Sequence, residues 1–553
     1  MIQQMLNSIM GIVDSIMVSS INGVSAVGNA TQIENLMMTI SFGAASGASI
    51  FIAQYFGSKD EVHQRKSFFV GIGFTLLIAL GMLTLATFFP RELMGFFIDD
   101  VTVIEKAEAP GGKMREAMVG GRGIDIGPTV LTMKWVFEDL FARVGADFDA
   151  EVPCEGLSVL ARHAWRDGSQ FDLFVDEQAS IEAVAAFSGA AEAARFAQFL
   201  SEARRIFETL RDSFLRAPAP SIARMLGAAG PLRLLGIDPF TTYWPALGRY
   251  FHDPRLRQLF ARYATYCGSS PFEAPATLML IAHVEKAGVW APREGMAGLA
   301  RAAARLAENK GVTLRFNEPV AEVCIAQGRA AGVVLASGER LPSDAVVVNA
   351  DISALARGFF GRAASTAASR PRLRSQSAVT FAMSATASGF TLDRHNVFFS
   401  SDYKAEFDAV FSRGEVPAQP TTYVWAPPAP REGLRPLFCL VNAPAGAPVP
   451  AAADRVRETM LGHLRACGLT LDVASAQAMT PADFARDYPG TDGAIYGAPS
   501  HGWRATFERR GVRTRLPGLY LAGGSVHPGP GVPMAALSGM AAATCLMNDF
   551  GLT

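Results

Sequence analysis

Hydrophobic and polar positions follow two different patterns along this chain. Residues 67–90 (SFFVGIGFTLLIALGMLTLATFFP) carry no charge. At about 1.5 Å per residue, a helix of that length crosses the roughly 30 Å hydrocarbon layer of a bilayer. Residues 35–56 are also uncharged and rich in Gly, Ala and Ser, which let membrane helices pack closely. The pattern therefore predicts spans over 36–56 and 67–90. Residues 1–18 are apolar apart from Asp14 and some amides, and read either as a third span or as a buried core helix. The linker GSKDEVHQRK holds Lys59, Arg65 and Lys66, so the positive-inside rule puts it in the cytoplasm and sends 67–90 outward.

Beyond residue 100 the apolar runs shorten and alternate with turn residues, as in an α/β protein. A hairpin is predicted at 157–175 around the turn Arg166-Asp167-Gly168-Ser169. Mostly helical sequence follows over 177–310. Strands are predicted at 312–316, at 320–326 and 330–336 (paired across Gln327-Gly328-Arg329), at 345–349, and again from Gly518 into the turn Gly523-Gly524-Ser525. An Ala-rich helix closes the pattern at 534–547, with Pro533 suited to its first turn.

Composition sharpens the division. Residues 1–100 hold 12 Ile and 2 Arg; residues 101–553 hold 11 Ile and 40 Arg. Two parts of different origin are the simplest account. With a net charge of −1, bulk electrostatics give no sign of a nucleic-acid partner. Cys154, Cys267, Cys324, Cys439, Cys467 and Cys545 form no CxxC pair and read as small buried thiols. His163, His252, His283, His395, His463 and His501 show no metal-ligand spacing, so no metal site is expected.

Some residues carry candidate chemistry. Val101-Thr-Val-Ile-Glu105 is a short β-branched run ending in an acid. In a dinucleotide-binding sheet the second strand ends in such an acid, which hydrogen-bonds the adenosine ribose. Gly111 and Gly112 would let the backbone approach a cofactor, although an ordinary strand and turn would read the same way. The helix start near Pro533 would aim free N–H groups and its positive dipole end at a phosphate or a flavin oxygen. The aromatic segment 239–251, with Tyr263 and Tyr266, could line a tunnel, touch a membrane or simply fill a core.

Two resemblances follow from these motifs. GIVDSIMVSSINGVSAVGNATQ and GAASGASIFIAQYFGSKD are similar to the opening of the multidrug and toxic compound extrusion (MATE) transporters. That family uses two six-helix lobes around a cavity, so a two- to three-helix fragment would not build a transport path. From residue 101 onward, VTVIEKAEAPGGKMRE, DIGPTV and GLYLAGGSVHPGPGVPMAALSGMAAA resemble the phytoene desaturase-type carotenoid desaturases. HNVFFSSDYKAEFDAVF, SHGWRATF and TRLPGLYLAGGSVHPGPGVPMAALSG are most similar to the 1-hydroxycarotenoid 3,4-desaturases within that group.

The second resemblance implies an α/β, FAD-dependent, amine-oxidase-like two-domain fold, here preceded by a transmembrane helical fragment. It implies FAD as cofactor, a hydrophobic carotenoid as substrate and work at the cytoplasmic face of a lipid bilayer. The implied parts are a truncated FAD-binding part (101–176), a helical substrate- or membrane-facing part (177–310), a β-meander returning to the FAD-binding sheet (311–352), a substrate domain (353–510) and a C-terminal FAD-binding segment (511–553). Glu105 would hold the ribose. Gly111, Gly112, Lys113 and Arg115 would border the pyrophosphate and flavin, and Val320 would meet the adenine through its backbone. Gly524, Ser525, His527, Gly531 and Val532 would lie along the ribityl chain and the isoalloxazine ring. His527 could equally cap a turn, and no catalytic residue is assigned.

One unit is missing. A sheet of this kind begins with a strand, a G-x-G-x-x-G turn and a helix, which cradle the pyrophosphate with backbone amides. The runs beginning at Gly71, Gly121 and Gly529 each lack the third glycine, and no other run supplies it. The position before Val101 is taken by the membrane-like block. The sequence thus predicts a chimera whose sheet has lost its central strand and whose FAD binding is weak or absent. The functional readings are an impaired carotenoid desaturase, a non-functional hybrid, or a MATE-type membrane transport protein.

Overall fold

The computed structural model describes residues 49–88, 101–428, 433–446 and 453–551. The possible span at 1–18, most of the one at 36–56 and the junction near residue 100 lie outside the described residues. Residues 49–57 are helical, and the helix Glu61–Phe88 follows a turn in which Lys59 adopts φ 59°. Asp60 starts that helix by accepting from the His63 backbone N–H at 3.1 Å. The helix contains residues 67–88 of the apolar run read as a span, and it opens with Glu61, Arg65 and Lys66. Among the described residues no helix is long and apolar enough to cross a membrane. The expected spans therefore find no support among the described residues. No described hydrogen bond or ion pair joins Glu61–Phe88 to the part after Val101, and Phe69, Val70, Leu77 and Phe88 are exposed along it.

The rest is an α/β body. Its largest sheet has seven strands in the order Thr470–Met479, Ser377–Ser388, Arg435–Ala443, Thr422–Trp425, His395–Phe398, Val159–Ala164 and Gln170–Phe174. Neighbours are antiparallel except His395–Phe398 beside Val159–Ala164. The predicted hairpin is present and joins this sheet, with Gly168 at φ 83° in its turn. The strand Ser377–Ser388 is buried at nine consecutive positions because it is paired on both sides and covered on both faces. Helices fill most of 177–310, and the longest, Ala190–Leu210, turns Phe196, Phe199, Ala203 and Ile206 into the core. Most of the fully buried large aromatics gather there, including Tyr243, Phe251, Phe260 and Tyr263.

The remaining strands form small pieces. Thr102–Ile104 pairs in parallel with Thr313–Arg315, and Val346–Val348 pairs in parallel with Leu519–Leu521. The meander Val320–Ala326, Arg329–Leu335 and Arg340–Pro342 is antiparallel, its first turn at Gln327 and Gly328 in the left-handed region. A doubly wound nucleotide-binding sheet would join the two parallel pairs through a central strand. Here they stay separate, and Val101, Val103 and Val347 remain 56%, 47% and 44% exposed. Exposed β-branched residues at the edges of parallel strands are unusual, because parallel sheets are normally covered. Among the described residues no strand joins the two pairs.

Candidate functional site

A single cavity of about 2500 Å³ runs from the open edges of the parallel pairs, past the glycine-rich turns, into the helical core. It is lined by Glu105, Gly111, Gly112, Lys113 and Arg115 from one end of the chain, and by Gly524, Ser525, Gly531 and Val532 from the other. Val320 lines it too, at the start of its strand.

Each residue is placed by local physics. Glu105 follows its strand and accepts from the Ala107 N–H at 2.8 Å, so its carboxylate curls over the turn. Gly111 has φ 118°, and a Cβ there would meet the Met114 carbonyl oxygen at 2.4 Å and the Ala300 Cβ at 2.9 Å. The Lys113 ammonium donates to the Ile495 carbonyl at 2.8 Å. Loss of solvent lowers its pKa, and the charge of Asp351 opposes that shift. Arg115 is committed to Asp487 at 2.6 Å, so it is not free to meet a phosphate. The Tyr488 ring lies under both cations, with centroids 5.2 Å from the Lys113 nitrogen and 5.5 Å from the Arg115 guanidinium.

On the other wall, the Ser525 Oγ accepts from the Ile352 N–H at 3.0 Å. Gly531, at φ 117°, precedes the helix Val532–Asp549 with Pro533 in its first turn, so the helix start opens onto the cavity as expected. His527 differs from the expectation. It is fully buried, bonds the Phe214 carbonyl through Nε2 at 2.8 Å and does not line the cavity. Burial pushes its pKa down to about 4. Its ring packs edge-on against that of Phe214.

Sequence reasoning passed over several wall residues. Gly127 is one: a Cβ there would sit 1.8 Å from the Lys113 carbonyl oxygen. Its signal was present in the run Asp-Ile-Gly-Pro. The aromatic segment divides by position, since Tyr243 and Phe251 are core, Tyr266 lines the cavity and Phe240 is 64% exposed beside it. Arg262, Glu285 and Gln376, buried polar residues on the same wall, had no local sequence signal because they converge from separate elements.

The residues present fit a flavin cofactor in part. Glu105, the glycine turns and the helix start face one continuous space, and the tight approach at Gly111 leaves no room for a side chain. The amide cradle for the pyrophosphate has no counterpart among the described residues.

Comparison with known proteins agrees with this geometry. Residues 91–547 match the family of flavin containing amine oxidoreductases, and residues 1–109 match the MatE family. The chain is 48% identical over 471 residues to a hydroxyneurosporene desaturase of Rubrivivax gelatinosus, covering 82% of this chain and 90% of that protein. It is 41% identical to the hydroxyneurosporene desaturase of Cereibacter sphaeroides, covering 81% and 93%. A putrescine oxidase variant from a redesign of cofactor binding shares the fold, with a TM-score of 0.53 at 11% identity over 82% of this chain and 93% of that one.

Proposed function

We propose, from the premise that this chain belongs to the flavin containing amine oxidoreductases, that its cavity desaturates a carotenoid. Oxidoreductase chemistry on a carotenoid is the function its relatives support, and the finer reading is FAD-dependent 3,4-desaturation of a 1-hydroxycarotenoid. The observation that carries it is the joining of two environments in one cavity. Glycine turns and a helix start form one end, and an apolar tunnel walled by Phe137, Phe141, Leu278, Ile281 and Val284 forms the other.

A flavin held at the glycine-lined end would supply the two-electron oxidation that loss of two hydrogens from adjacent carbons requires. The chain's own task is positioning. The apolar walls hold a polyene straight, keep water from the cation that develops along it, and set the reacting carbons against the glycine-lined end. His527 lies outside that task, because it does not face the cavity.

A lipid surface is the proposed place of work. Ile222–Ala229 and Pro231–Gly236 line the tunnel and leave Leu232 83% and Leu235 63% exposed, next to Phe240. Arg224 and Arg233 are exposed on the same helices. Apolar side chains rimmed by cations at the mouth of a tunnel suit the surface of an anionic bilayer that holds the substrate.

The test is direct. Purified chain, FAD and a 1-hydroxycarotenoid in micelles should give a product lighter by two hydrogens and absorbing at longer wavelength. Absence of that product at saturating FAD would retire the reading for this chain.

A further inference from the structure

An apolar tunnel for a hydrocarbon should have apolar walls throughout, and this one does not. Where it nears the glycine-lined end, the floor turns polar. Alternate residues of Arg435–Ala443 share one face of the sheet, and along it Phe438 and Leu440 give way to Asn442. Thr380 stands opposite Leu440, and Gln376 lies just before the same neighbouring strand. All of these line the cavity.

The polar groups are held stiffly from behind. Gln376 Nε2 donates to Asn442 Oδ1 at 3.1 Å, and Asn442 Nδ2 donates to Glu406 Oε1 at 3.2 Å. Glu406 also accepts from Ser400 at 2.8 Å and Thr421 at 2.6 Å. Gln376 is 3% exposed, yet its Oε1 has no partner, and neither does the Nε of Arg262, which is 8% exposed on the same cavity. Leaving a buried polar atom unpaired costs enough that such atoms call for an explanation.

Their place supplies one. Ile495 donates its N–H to the Gln376 carbonyl at 3.4 Å, and the Ile495 carbonyl accepts from Lys113 at 2.8 Å. A Cβ on the nearby Gly497 would lie 3.1 Å from that of Ser525. The polar floor is thus next to the proposed flavin end. In a 1-hydroxycarotenoid the hydroxyl-bearing carbon is two bonds from the nearer reacting carbon, so its hydroxyl must sit beside the flavin.

We propose that the Gln376–Asn442 pair, with Thr380, seats the terminal hydroxyl of the substrate and so selects hydroxylated carotenoids over the matched hydrocarbons. To receive the hydroxyl, the Gln376 amide must first turn its Oε1, which has less than 1 Å² of accessible surface, towards the cavity; Thr380 Oγ1 would be the donor to the hydroxyl oxygen. Gln376 is then a positioning residue that sets which carbon pair meets the flavin. The inference rests on the carotenoid reading above.

Equilibrium binding to the full chain in micelles tests it, followed by tryptophan quenching, which does not depend on turnover. The probes are a 1-hydroxycarotenoid and its non-hydroxylated counterpart of the same length and unsaturation. The hydroxylated probe should bind about fivefold to a hundredfold more tightly, the span of one buried hydrogen bond. Gln376→Leu should bring the ratio close to one while the hydrocarbon binds as before, which also shows the variant is folded. Thr380→Val, nearly isosteric, should lower the ratio by a smaller factor and decides the matter if Gln376→Leu does not fold. Equal binding of both probes to the unaltered chain overturns the inference alone, as does an unchanged ratio in both variants. Failure of both probes to bind at all overturns the carotenoid reading with it.

Discussion

Gly111 shows how closely a single residue is specified. Its φ of 118° is unfavourable for any L side chain, and a methyl group would press on the Met114 carbonyl at 2.4 Å. Gly111→Ala should cost about 1–3 kcal/mol through backbone strain and displace the turn that carries Lys113. Chemical denaturation measures the first effect. His527 gives the acid response. Its imidazole is buried and neutral, with a pKa near 4, against about 6.5 in an unfolded chain. Between those values the unfolded state binds the extra proton, so stability falls as pH drops from about 6.5 towards 4 and is retained above that window. The difference amounts to about 3 kcal/mol. His395, pushed down to about 3 by burial, acts in the same sense. His527→Gln should flatten the pH dependence of the unfolding midpoint over this range; an unaltered slope would show that other groups dominate.

At the scale of elements, the helices Ile222–Ala229 and Pro231–Gly236 hold their exposed leucines away from the core, so changing them leaves the interior packing untouched. Leu232→Ser with Leu235→Ser should alter stability by no more than about 0.5 kcal/mol. The pair should weaken flotation with anionic vesicles about tenfold or more, because each leucine contributes about 1.5–3 kcal/mol when transferred from water. Elements of this kind are also where the sequence was most legible. The hairpin around Gly168, the meander around Gln327-Gly328 and the helix after Pro533 all carry local signals, namely turn chemistry and periodicity, and all formed where expected. Glycines in tight turns were readable for the same reason. The polar floor of Gln376, Asn442 and Arg262 was not, since it is assembled by long-range strand pairing that no local pattern reports. The place of His527 was not legible either, because its ring turns inward to Phe214, which is distant in sequence. The helix read over the apolar run of 67–90 is present as far as the described residues reach, within Glu61–Phe88.

The whole molecule is governed by the gap between its two parallel strand pairs. Among the described residues, Thr102–Ile104 and Val346–Val348 each have a partner on one side only, and the cavity reaches both edges. A strand inserted between them would pair those edges and cover Val103 and Val347. The turn that follows it would place amides against the pyrophosphate, at about 1.5–3 kcal/mol for each hydrogen bond to a charged group. Replacing residues 1–100 with a strand, a G-x-G-x-x-G turn and a helix should therefore tighten FAD binding at least a hundredfold, read from flavin absorbance after gel filtration. The same replacement should raise the unfolding midpoint, because two separate strand pairs become one sheet. A chain that already retains FAD stoichiometrically with residues 1–100 in place would mean that the phosphates are held by other groups. Arg115 would be the first to examine, released from Asp487.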